Sequence, residues 1–184
     1  MSAAMSELVK NLQEQQKQPG EMKERVRVTV DTWKQNVVSF YMDIKKWLQP
    51  LTEKGLVDIS ERAIPVVEEL AAYDTTQLVI KFPTSNRVIE LVPKGTYIIG
   101  ANGRIDLEAG IGKPIKFLLM DEKAESANDL IQINISSGNE NAPAKNSARK
   151  IKFKWKIVPD DISRGKFEPL TEDVFANIIK QLVL

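Results

Sequence analysis

The hydrophobic pattern is clearest over residues 21–49, where Val26, Val30, Trp33, Val37, Phe40, Ile44 and Trp47 recur at alternating steps of four and three. That spacing is a heptad seam along one side of an α-helix. Val38, Tyr41 and Leu48 widen the apolar face in its second half, whereas Lys23, Glu24, Arg25, Arg27 and Lys34 flank a narrower first half. At about 1.5 Å per residue the predicted rod is roughly 40 Å long. Pro50 predicts its end, since the residue before a proline is pushed out of the α region, and Lys54-Gly55 predicts a turn. Ahead of the rod, residues 6–18 predict a short helix whose apolar side is only Leu8, Val9 and Leu12, broken by Pro19-Gly20. A helix that short is marginal alone. Residues 1–20 are therefore expected to form a flexible helical segment, and residues 21–184 a single α+β domain.

From Leu56 the period changes to two. Val57-Asp58-Ile59 alternates, residues 63–67 with Pro65 predict an edge strand, and residues 68–73 fit one helical turn. Strands are predicted over 77–82, 87–92, 96–101 and 104–107, separated by Pro83, Pro93 and Asn102-Gly103, the last a two-residue hairpin signal. Residues 115–120 are almost unbroken apolar, as in a strand covered on both faces. A further strand is expected over 130–135, followed by a flexible loop over 136–147. Lys150, Lys152, Lys154 and Lys156 then alternate with Ile151, Phe153, Trp155 and Ile157, which puts lysine on one strand face and core on the other.

At the C-terminus Thr171 is a suitable N-cap, Glu172 and Asp173 suit the positive helix end, and Leu170 and Phe175 are spaced as a hydrophobic staple. Val174, Phe175, Ile178, Ile179, Leu182 and Val183 give that helix a wide apolar face. Together the elements predict an α+β fold: an antiparallel β-meander of five to seven strands covered by a long N-terminal helix and a C-terminal helix.

Composition narrows the chemistry. The 184 residues include no cysteine and no histidine. Disulfides, thiolate metal sites, cysteine nucleophiles and Ser-His-Asp catalysis are excluded on that ground. Twenty-six basic residues against 25 acidic ones leave a net charge of +1, so no global polarity points to nucleic acid or an anionic membrane. No apolar run approaches the ~18 residues of a membrane span, and the first twenty residues lack a signal peptide's apolar centre. The expectation is a cytoplasmic protein that is no enzyme and needs no cofactor or metal.

Three local features carry candidate chemistry. The leading one is the front of the helical seam. A helix this long overhangs a sheet of five-residue strands, which span only ~17 Å. Val26, Val30 and Trp33 would then stand exposed as apolar anchors, with Arg25, Arg27 and Lys34 as a charged rim. On this basis the chain is read as a non-catalytic interaction module: an adaptor, inhibitor or assembly subunit. It would form a coiled-coil homodimer or hold another protein through that helix. The alternative is single-stranded nucleic-acid binding on Arg149, Lys150, Lys152, Lys154 and Lys156, whose strand spacing of about 6.6 Å approximates successive phosphates. Against it, lysine on a strand face also discourages aggregation, and Phe153 and Trp155 face away from the lysines instead of offering stacking platforms. The third reading is a Mg²⁺-dependent nuclease in which Asp106, Asp121 and Lys123 converge. The segment Gly110-Ile111-Gly112-Lys113-Pro114 is a turn and no phosphate loop, because Leu107 and Pro114 occupy the places of the required Gly and Ser/Thr.

Overall fold

A computed structural model describes residues 3–96, 101–127, 129, 152–160 and 165–184. Helix α1 (Ala3–Glu53) is continuous over 51 residues, roughly 75 Å of rod. It runs without a break through Pro19 and Gly20, where the sequence predicts a stop. Pro50 does not end it either; Leu48 and Leu51 on both sides pack against the core and hold the last turn. The helix ends instead in a Schellman motif: Leu56 N–H donates to the Leu51 carbonyl at 2.9 Å and Gly55 N–H to that of Thr52 at 3.0 Å. Gly55 supplies the left-handed residue, with φ +67°.

Seven strands follow: β1 (Asp58–Val67), β2 (Ala72–Phe82), β3 (Arg87–Gly95), β4 (Arg104–Glu108), β5 (Ile115–Asp121), β6 (Phe153–Ile157) and β7 (Glu168–Pro169). They form one antiparallel sheet in chain order, the meander that closely spaced strand patterns predict. Helix α2 (Glu172–Val183) closes the chain, its Thr171 hydroxyl capping the Val174 N–H at 3.3 Å. Both helices cover the same sheet face. Between them and the sheet Phe40, Ile44, Leu78, Ile80, Ile89, Leu91, Ile105, Leu107, Phe117 and Phe175 make one buried cluster. Trp47 and Phe175 join the two helices, ring centres 5.8 Å apart. On the opposite face a smaller cluster gathers Leu118, Met120, Ala124 and Phe167. Strand β5 is thus covered on both sides, as its unbroken apolar run predicts.

The turns depart from local expectation. Residues 58–67 form one ten-residue edge strand, and residues 68–73 hold no helical turn: Glu68 N–H bonds the Ala71 carbonyl at 2.8 Å and β2 starts at Ala72. The Glu68 carboxylate accepts from the Tyr73 hydroxyl at 2.6 Å and the Thr96 N–H at 2.5 Å, tying this hairpin to the end of β3. Pro93 does not stop β3, because a bulge between Pro93 and Gly95 absorbs its missing N–H. Consequently β3 pairs directly with β4, and Asn102-Gly103 is no two-residue hairpin. Asn102 N–H bonds the Leu119 carbonyl at 2.7 Å and Leu119 N–H that of Gly103 at 3.0 Å, which extends the ladder beside β5. The strand and loop expected over 130–147 lie outside the described residues.

Candidate interaction surface

The exposed part of the seam ends earlier along α1 than the spacing predicts. Val30 and Trp33 are 8% and 1% exposed, sealed by the chain's own fold, and Val26 is half-buried. Two causes combine. Strands β1, β2 and β3 contain ten, eleven and nine residues, so the sheet reaches about 30 Å along its strands, nearly double the expected span. Gly103, lacking a side chain, also lets the Trp33 ring settle directly on the backbone, where Trp155 meets it at 6.1 Å between ring centres. Lys34 likewise turns inward, its ammonium 5.5 Å over the Tyr73 ring. Of the expected rim only Arg25 and Arg27 stay outside. Arg27 is held along the helix by Glu24, at 2.6 and 3.0 Å, with Asp31 3.6 Å away.

What projects from the body lies earlier in α1. Every residue from Gly20 to Thr29 is exposed except Val26, with Met22 49% and Val28 51% exposed, and Met5 near the start of the helix is 50% exposed. The docked part of the seam begins at Val30.

The lysine face is smaller than the alternation suggests. Lys152 and Lys154 are exposed, but Lys156 is only 3% exposed. Its ammonium donates to the Glu122 carbonyl at 2.8 Å and to the Ala124 carbonyl. Burial pushes its pKa down, opposed by the nearby carboxylates of Asp121, Glu125 and Glu122. Lys154 is paired with Glu122 at 2.5 Å, and that bond holds the Glu122 carboxyl below its ordinary range. Arg149 and Lys150 lie outside the described residues. Among the described residues of the ladder, Lys152 and an ion-paired Lys154 are exposed and Lys156 is buried.

The acidic residues do not converge. Asp106 receives Arg104 in a bidentate pair, both bonds 2.6 Å, with its side chain 3% exposed. That carboxylate raises the Arg104 pKa. Asp106 stands across from Lys116 on β5. Asp121 lies five residues further along, at a position of the opposite parity, where it accepts the Lys123 N–H at 3.0 Å. No group of three or more acidic residues among the described ones is placed to hold a metal ion. The glycine-rich segment is the β4–β5 turn, Gly110 and Gly112 both at φ +70°. Among the described residues no helix is long and apolar enough to cross a membrane. No known protein family, no curated protein and no solved structure matches this chain.

Proposed function

We propose that this protein is a non-catalytic interaction module, an assembly subunit that self-associates through the part of α1 preceding Val30. The occupant of that surface is a second copy of the same chain. One observation carries the reading: a 51-residue helix is docked from Val30 onward, while its preceding segment leaves Met22 and Val28 exposed and Val26 half-covered. A solitary helix in water is marginal and gains from a partner that covers its apolar side. A second arm offers that cover. Glu21 and Glu24 are interspersed with Lys23, Arg25 and Arg27, so the arm carries both signs of charge and presents no uniform like-charge field to a second copy. The setting proposed is the cytoplasm. The nucleic-acid and nuclease alternatives draw no comparable support, with Lys156 buried and Asp106 committed to Arg104.

Light scattering on the full chain tests this. The wild type is expected to show twice the chain mass at micromolar concentration. Met22→Glu combined with Val26→Glu, which lie one turn apart on the same side of the helix, is expected to give the single-chain mass with unchanged circular dichroism. A wild type that stays single at every concentration, or a variant of unchanged mass, overturns the reading.

A further inference from the structure

Between α1 and strand β6 lies a cavity of about 570 Å³, large enough for a small molecule. Its floor is aromatic. Trp155 is locked between Phe40, 4.7 Å away, and Trp33, 6.1 Å away, so the floor is rigid before any ligand arrives. Phe153, two residues along on the same strand face, stands at the rim and is 45% exposed. An aromatic ring half open to water beside a fully packed ring cluster is a surface that a ligand can cover.

The wall on the α1 side is polar in a specific way. Thr32, Asn36, Ser39 and Asp43 line the cavity at steps of four, three and four, one stripe of the helix. All four are weak helix formers that normally favour caps and turns, yet they sit mid-helix. Thr32, Ser39 and Asp43 are exposed and Asn36 half-buried, and among the described residues none of the four makes a side-chain hydrogen bond to the protein, whereas the hydroxyls of Thr29 and Thr52 bond the carbonyls four residues back. Asn102 adds a further amide from the opposite wall. Among the described residues that line the cavity the cation is Lys154, and it is engaged by Glu122. Those residues offer phosphate or carboxylate ligands no free positive charge.

We infer that this cavity is a binding site for a neutral saccharide. A sugar ring has one face of C–H bonds, which suits the negative face of an aromatic ring. Its rim of hydroxyls both donates and accepts, which suits short amide, hydroxyl and carboxylate side chains. Phe153 supplies the stacking surface, with half-buried Trp155 as the floor beside it; Asn36, Ser39, Asp43 and Asn102 read the hydroxyls. This site is separate from the self-association arm, since the stripe starts two residues after Val30 and lies off the seam.

The test is a titration of the full chain, followed by tryptophan fluorescence and calorimetry, with neutral oligosaccharides of glucose, mannose, galactose, xylose and N-acetylglucosamine. Adenosine and free tryptophan serve as flat aromatic controls. At least one saccharide is expected to bind saturably, with Phe153→Ala and Asn36→Ala each weakening it at least about tenfold. Asn36→Ala lies on a helix surface and favours the helix, so folding is retained. Lys81→Ala, remote from the cavity, is expected to bind as the wild type does. Absence of saturable saccharide binding, binding that survives both cavity substitutions, or binding of the flat aromatics alone overturns the inference.

Discussion

Trp33 rests its ring on Gly103 so closely that a Cβ at Gly103 would fall inside the ring, overlapping Cζ3 and Cε3, and Gly103 itself sits at φ +150°. Together with the length of strands β1–β3, this contact makes the front of the seam core. Gly103→Ala is expected to cost about 2–4 kcal/mol, combining overpacking with backbone strain. Trp33→Ala should cost about 3–5 kcal/mol. Chemical denaturation checks both, and the double variant should lose less than the sum by about 1 kcal/mol or more.

Tyr41 fills a fork in the sheet. Paired residues of β2 and β3 end at Leu78 and Leu91, and the Tyr41 hydroxyl lies 2.9 Å from the Thr76 carbonyl and 2.8 Å from that of Leu91. Tyr41→Phe should cost about 1–3 kcal/mol by orphaning those buried carbonyls. Burial also raises the Tyr41 pKa well above its ordinary value. An unfolded tyrosine ionises near pH 10, while the folded one keeps its proton. Above about pH 10 the native state therefore binds more protons and stability falls with pH, by up to about 1.4 kcal/mol per unit. Denaturation midpoints from pH 8 to 11 should fall more steeply for the wild type than for Tyr41→Phe.

Lys154 and Lys156 test what alternation conceals. They occupy equivalent positions on one strand, yet one bridges to exposed Glu122 and the other is buried on two backbone carbonyls. Lys154→Met should change stability by no more than about 0.5 kcal/mol. Lys156→Met should cost about 2 kcal/mol, the value of charged hydrogen bonds to groups then left unpaired. Equal losses in thermal melts would contradict the assignment.

Legibility in the sequence followed the range of the interactions. Period and capping are local, so the seam of α1, the alternating strands, the doubly covered β5 and the Thr171 cap could all be read directly. Where the docked half of α1 begins could not. Val26, Val30 and Trp33 continue the same seam as Val37, Phe40 and Ile44, and what seals Trp33 is the length of the strands together with Gly103, seventy residues away. Pro93 and Asn102-Gly103 misled because a bulge and a neighbouring strand override turn chemistry. The burial of Lys156 depends on the segment carrying Glu122 and Ala124, which no alternating pattern reveals. The polar stripe of α1 did leave a trace in the sequence: Thr32, Asn36, Ser39 and Asp43 are weak helix formers in register. It becomes meaningful only once Phe153 and Trp155 face it.

The central claim, that a second copy covers the arm of α1, is tested most directly by hydrogen exchange as a function of protein concentration. Amides of residues 20–29 should exchange rapidly in dilute solution, as an uncovered helix does, and become protected as concentration rises. Amides of residues 30–51 should keep constant protection throughout, because their cover belongs to the same chain. Protection of residues 20–29 that does not change with concentration would contradict the account.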